Sequence, residues 1–329
     1  MKRFLKILRF AICLGLIYFV ISKVDFGPLM VIVRDLRIEF CIAMMGVLYV
    51  EDLIKALKWH TLLQAKNINL SILKVIQVDF ASKFLNLFVP STLSLDLFRA
   101  YGLSKAVASK KQTAASIIVD RGLSLFALIV VANISVILFY KTVAVPEVAY
   151  ISISTLLGFV AVVFIINSRF VIRFLSRYEA TIKKYKILHK LAELRGSINE
   201  YKLHKSKLVR VFLLSVAMQI LRMVGYYLAS LAVNASIPFQ YFMIFTPIMI
   251  FFVMLPISLA GIGMRESSFV YFFSKVGVLG TIAFAIPALV SLMVVISVLP
   301  GGLIIAFKGL ALKKQPIPVE KSSAIKRVT

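Results

Sequence analysis

The chain has 329 residues, 60% of them hydrophobic, with 26 Phe and a mean hydropathy of +0.95. A soluble domain is about 45–50% apolar, and repeated apolar stretches of roughly 20 residues exclude that class in favour of a polytopic helical membrane protein. The formal charge of +25 would suggest nucleic acid in a soluble protein. Here the Lys and Arg concentrate between apolar stretches, where the positive-inside rule accounts for them, so no nucleic-acid role is expected.

The first span runs from Leu8 to Ile21 after a basic start. Ser22-Lys23-Val24-Asp25 is no small-residue cleavage site, so the span reads as retained rather than as a signal peptide. Ser22–Glu39 is charge-balanced, as an external loop should be. A second span from Phe40 to Leu57 carries Glu51 and Asp52 near its inner end and delivers the chain to Lys55, Lys58, Trp59 and His60, read as an interfacial cluster.

Leu73–Ala100 is apolar enough to enter the membrane, yet it holds Asp79, Lys83, Asn86, Pro90, Asp96 and Arg99. Lysines flank it on both sides, and a re-entrant hairpin broken at Pro90 would keep both flanks inside. Thr113–Tyr140 is an outward span with Asp120 and Arg121 in its inner third, expected at the interface or in an inner vestibule. Tyr150–Asn167 returns.

Between Arg169 and Arg210 stand twelve Lys or Arg against three Glu. Apolar residues recur there at three- or four-residue spacing. The 168–210 region therefore reads as a basic amphipathic segment suited either to an anionic inner leaflet or to the underside of the bundle. Val211–Val233 follows with Arg222 near its middle, too deep to reach an interface easily and so expected to face the bundle interior. Phe239–Leu259, a break over Pro256–Lys275, and the apolar run Val278–Phe307 complete the spans. The expectation is an all-α membrane bundle of seven or eight crossings, one domain over 1–307, with a basic tail over 308–329. Both termini are placed on the cytoplasmic side of the cell membrane.

Two interrupted segments share a design. Pro90 is followed by Leu93 and Arg99, and Pro256 by Leu259 and Arg265, the same offsets in each. Paired interruptions in corresponding halves are the sequence pointer to a midplane site in transporters built from inverted repeats. Helix N-termini at such breaks favour anions, and Arg99 and Arg265 add guanidinium forks suited to phosphate. Asp96 and Glu266 would neutralise those arginines between substrate visits. The same pairs could instead be architectural.

Other chemistry is weakly signalled. Cys13 and Cys41 suggest neither disulfide nor metal, the three His are scattered, and no cofactor motif is present. Gly261-Ile-Gly263 follows a membrane-grade segment rather than a strand, so it is not a nucleotide fingerprint. Asp79, Asp96, Asp120 and Glu266 leave open an integral-membrane enzyme of lipid or polyprenyl-phosphate chemistry.

Three pieces carry a family resemblance: Asn86-Leu-Phe-Val-Pro90 with Asp96-Leu-Phe-Arg99, then Asp120-Arg121-Gly122, and Pro256-Ile-Ser-Leu-Ala-Gly-Ile-Gly-Met-Arg-Glu266. The chain resembles the lysylphosphatidylglycerol synthase transmembrane-region family from the first span through Gly301-Gly302. Ser91–Ser94 lacks the glycines usual in that family's first motif, and Asp120 stands where glutamate is more common. The resemblance implies the flippase half of a lipid-aminoacylating protein without the cytosolic transferase half. The implied activity is translocation or binding of a phospholipid or glycolipid, with homodimer assembly as the expectation. It also implies substrate contacts at Asn86, Asp96, Arg99, Asp120, Arg121, Arg265 and Glu266, with Arg222, deep in its own span, expected to shape the same electropositive vestibule; no cofactor and no metal are expected. The rival readings are the lipid enzyme above and a membrane scaffold for a lipid synthase.

Overall fold

A computed structural model describes residues 35–89, 94–104, 110–139, 141, 145–167, 196–254 and 264–309. The first span, Cys13, the Pro90 and Pro256 turns with Gly261 and Gly263, the basic stretch up to residue 195, and the tail beyond residue 309 lie outside them. Among the described residues the fold is helical throughout and has no strand.

The helices are α1 (Ile38–Gln64), α2 (Ile72–Asn86), α3 (Ser94–Leu103), α4 (Lys110–Phe139), α5 (Pro146–Asn167), α6 (Lys205–Ala232), α7 (Phe239–Met254), α8 (Met264–Ser274), α9 (Gly280–Ser297) and α10 (Leu299–Lys308), with a 3-10 turn at Glu200–Leu203. Three segments are long and apolar enough to cross a membrane: Lys111–Phe139, Lys205–Ala232 and Gly280–Lys308. Their outward faces carry bare apolar side chains such as Ile137 and Phe307, 78% and 68% exposed, the surface a lipid solvent requires.

α1 packs against α6 along most of its length and also touches α2, α4 and α9. It is longer than its apolar stretch suggests: the helix continues through Lys55–His60, which the hydropathy pattern assigns to an interface. Each interrupted segment resolves into two helices packed on each other, α2 with α3 and α7 with α8.

The interior is divided into apolar regions. A large core gathers Cys41 and Met44 of α1, Leu128 and Val136 of α4, Tyr226 and Ala229 of α6, and the ring-rich faces of α7, α8 and α9. Phe269 and Phe273, one turn apart on α8, stack at 4.1 Å between centroids. A second core holds Ala56, Trp59 and Leu63 of α1 with Val75, Val78, Leu103 and Ile117. Along α1 the first core ends and the second begins about 12 residues later, on the order of 18 Å of helix. The stretch between carries Glu51, Asp52 and Lys55 among apolar residues such as Leu48 and Ile54.

Both ends of α1 are tied down. The Arg37 amide donates to the Ala232 carbonyl at 3.0 Å, and the Asn234 side chain donates to the Asp35 carbonyl at 2.7 Å. At the other end, the Tyr201 hydroxyl donates to the Leu62 carbonyl at 3.1 Å, Lys66 lies 2.5 Å from Glu200, and Lys207 donates to the Gln64 carbonyl at 3.0 Å. Burial pushes the Tyr201 phenol well above its usual range; the proton it donates to Leu62 therefore stays in place.

Candidate functional site: a charged layer between two apolar cores

Glu51, Asp52, Lys55, Lys58 and Trp59 stand at i, i+1, i+4, i+7 and i+8 on α1, one face of a helix with 3.6 residues per turn. Charged side chains of the neighbouring helices meet Glu51, Asp52 and Lys58 there. Arg222 of α6 donates through Nη2 and Nε to Glu51 at 2.5 and 3.0 Å, and through Nη1 to Gln219 at 3.2 Å. Lys83 of α2 donates to both Asp52 oxygens at 2.8 and 2.7 Å. Lys58 lies 3.1 Å from Asp120 of α4 and donates to Ser124 at 2.6 Å.

Arg99 of α3 is as enclosed as Lys58, its side chain 2% exposed. Its Nε donates to Asp79 at 2.5 Å, Nη2 meets the same carboxylate, and Nη1 lies 3.5 Å from Asp120 and 3.9 Å from Asp96. The guanidinium sits 4.9 Å from the centroid of the Trp59 ring, a cation–π arrangement that occupies its flat face. Arg121 pairs with Asp96 at the edge. Burying so many charges is tolerable only because they are paired and hydrogen-bonded.

Asp120 is therefore not interfacial: it is 6% exposed and bridges Lys58 and Arg99. Trp59 is no interface anchor either; it is fully buried, with its indole N–H donating to Ser116 at 3.1 Å. Asn86 closes the end of α2 onto the start of α3 by accepting the Ser94 hydroxyl at 2.5 Å.

Arg265 and Glu266 form a second group. Arg265 donates to Ser291 of α9 at 2.8 Å, and Glu266 lies 3.5 Å from the same hydroxyl. Among the described residues α8 packs on α7 and α9, α3 packs on α2 and α4, and α3 does not touch α8. Arg99 and Arg265 thus occupy separate groups. What joins them is α1 with α6: Tyr226 lies within electrostatic reach of Arg265 and Glu266 on one side and of Arg222 and Glu51 on the other.

The layer has a dry part and an accessible part. Asp79, Arg99, Lys58, Asp52 and Asp120 are less than a tenth exposed at the side chain. Lys83, Arg222 and Arg121 are 17%, 26% and 40% exposed, while Lys55, Arg265 and Glu266 are half-buried. Among the described residues no group of three or more His, Cys, Asp or Glu is placed to hold a metal ion.

The sequence named eight residues of this region but not Glu51, Asp52, Lys55, Lys58, Trp59 or Lys83 as members of the same layer, and Asp79 only as a possible enzymatic carboxylate. The i, i+4, i+7 spacing on α1 was the signal. It was masked because this stretch abuts the apparent end of an apolar run.

A helical bundle with lipid-facing outer surfaces and an ionic layer inside defines a polytopic membrane protein. The chain belongs to the family described as the lysylphosphatidylglycerol synthase TM region, whose model matches residues 6–302. Membership makes it a membrane protein related to lipid metabolism or transport. No curated protein and no solved structure matches the chain.

Proposed function

We propose that this protein is a membrane lipid translocase that passes the phosphate-bearing headgroup of a phospholipid or lipid-linked sugar through the charged layer. The observation that carries the reading is the balance of that layer. The cations Lys55, Lys58, Lys83, Arg99, Arg121, Arg222 and Arg265 outnumber the carboxylates Glu51, Asp52, Asp79, Asp96, Asp120 and Glu266 by one among the described residues, and several cations remain accessible.

In this reading Arg222 and Arg265, on either side of Tyr226, receive the headgroup phosphate. Glu51 and Glu266 act as resident counter-ions near these arginines. Exchanging a carboxylate for a phosphate keeps the guanidinium matched by an anion throughout, and the displaced Glu51 or Glu266, each partly open to solvent, turns toward water. Arg121 and Asp96 form a second, more exposed exchange point. Arg99, Asp120 and Asn86 hold α2, α3 and α4 in register beneath it and act as positioning residues. The termini and the basic 168–210 region lie on the cytoplasmic side against anionic lipid, and two copies assemble as a dimer.

An enzyme of lipid chemistry would need a carboxylate free to take a proton. Of the four carboxylates that leave this reading open, Asp79, Asp96 and Asp120 are each engaged by a Lys or Arg, and Glu266 stands beside Arg265 at the Ser291 hydroxyl, which favours the transport reading.

The test is headgroup-resolved flipping in proteoliposomes, using anionic, zwitterionic and aminoacylated phospholipids and a lipid-linked sugar. Transfer of one class, lost in Arg265→Ala protein that elutes and melts like the parent, supports the proposal. Equal transfer by parent and Arg265→Ala removes Arg265 from it. No transfer of any lipid by folded parent protein overturns it.

A further inference from the structure

The partners of the layer can be matched one by one, and one cation is left over. Lys58 takes Asp120, Lys83 takes Asp52, Arg99 takes Asp79, Arg121 takes Asp96 and Arg222 takes Glu51. Arg265 is held through Ser291 beside Glu266. Lys55 has no hydrogen bond or ion pair among the described residues, yet it stands in the middle of the α1 stripe, half-buried. Asp52, Asp79, Arg99 and Lys83 all lie within its electrostatic field, and none reaches it to form a salt bridge.

We propose that Lys55 is an anion-binding residue that takes a phosphate oxygen of a ligand entering the layer, either a phospholipid headgroup or free phosphate. The inference rests on the transport reading only for the identity of a lipid ligand. Three features favour it. An ammonium inside a membrane bundle that finds no partner among the described residues is costly, and a phosphate that completes its hydrogen bonding removes that cost. Lys83, whose charge also acts on Lys55 and whose side chain is 17% exposed, reaches toward Ser297 at 3.4 Å and holds a further donor beside it. The dry pairs beneath are matched, so a phosphate gains most where the surplus positive charge is, at Lys55.

A structural role predicts the opposite behaviour on substitution. Lys83→Met would strand Asp52 and lower stability, whereas Lys55→Met strands no paired carboxylate and removes a costly ammonium, so it should melt no lower than the parent.

The test uses the full chain in detergent micelles, titrated with short-chain phosphatidylglycerol and, separately, with inorganic phosphate. Calorimetry measures binding. Emission of Trp59, the single tryptophan and one turn from Lys55 on the same face, reports where it occurs. We expect saturable binding with a shift in Trp59 emission, at least about tenfold weaker in Lys55→Met, the worth of one charge-assisted hydrogen bond. Lys55→Arg should stay within a few fold of the parent, and Lys55→Met should melt no lower than it. A response to inorganic phosphate identifies the phosphate group alone as sufficient; a response to the lipid only assigns the site to headgroups. Either supports the inference when Lys55→Met weakens it. No binding of either probe, parent-like binding by Lys55→Met, or a loss of stability in Lys55→Met as large as in Lys83→Met overturns it. Lipid flipping separates the two proposals. A parent that binds through Lys55 but moves no lipid sinks the translocase reading alone. A parent that flips lipid while Lys55→Met binds and flips equally sinks the Lys55 inference alone.

Discussion

The Trp59 ring covers Arg99, with the guanidinium carbon 4.9 Å from the ring centroid, while Asp79 holds the edge of the same guanidinium. One tryptophan on α1 and one carboxylate on α2 thus fix a single arginine on α3. Trp59→Phe keeps a ring on Arg99 and loses the donation to Ser116. Trp59→Leu loses both, including a desolvated cation–π contact worth about 2 kcal/mol. Thermal unfolding in detergent should therefore rank parent, Trp59→Phe, Trp59→Leu in falling order; equal melting of the two variants would deny the contact any weight.

Removing one side of the dry pair should be severe. Arg99→Met leaves Asp79 buried without a cation and should cost about 3–5 kcal/mol, seen as poor recovery of folded protein. Arg99→Lys should recover little, because an ammonium cannot present Nε and two Nη groups to three carboxylates. Full recovery by lysine would show that charge alone suffices there.

Glu51 and Arg222 bridge α1 and α6 at 2.5 Å with both side chains partly open to solvent. A double-mutant cycle with Glu51→Gln and Arg222→Gln should return a coupling of about 0.5–3 kcal/mol. Independent, additive losses would mean that the pair does not form.

Gly301 and Gly302 let α10 lie against α2. A Cβ at Gly301 would stand 2.1 Å from the Phe80 carbonyl oxygen, and one at Gly302 would stand 2.8 Å from the Phe84 ring. Gly301→Ala must push backbone from backbone and should destabilise by about 1–3 kcal/mol or more. Shortening Phe84 should not rescue it. Gly302→Ala meets only a side chain, so Gly302→Ala with Phe84→Leu should be more stable than the two losses summed. A matching rescue of Gly301→Ala would contradict the close backbone approach.

Much of this fold was legible in the sequence because membrane helices declare themselves by length and apolarity, and α4, α6 and the α9–α10 run do so plainly. The interruptions at Pro90 and Pro256 were legible too, since helix pairs flank both. The charged layer was only half visible. Arg222 was expected inside the bundle because it stands in the middle of a span, and it pairs there with Glu51. Lys55, Lys58 and Trp59 were assigned to an interface because a run of polar residues at the end of an apolar stretch ordinarily marks one. Only tertiary packing, with α2, α3 and α4 laid over that end of α1, turns the same residues inward. The partner of Arg99 was misjudged for a related reason. Asp96 is one turn away on α3, but Asp79, twenty residues earlier, has the shorter contact.

The account stands on a headgroup entering the ionic layer, and photo-crosslinking tests that most directly. Full-length protein in liposomes would be irradiated with a phospholipid carrying its photoreactive group on the headgroup, and the adducts mapped by peptide mass. The account predicts adducts on the faces of α1, α6 and α8 that hold Lys55, Arg222 with Tyr226, and Arg265, reduced by excess unlabelled lipid. Adducts confined to outward apolar faces, such as Ile153 and Leu157 on α5, would contradict it.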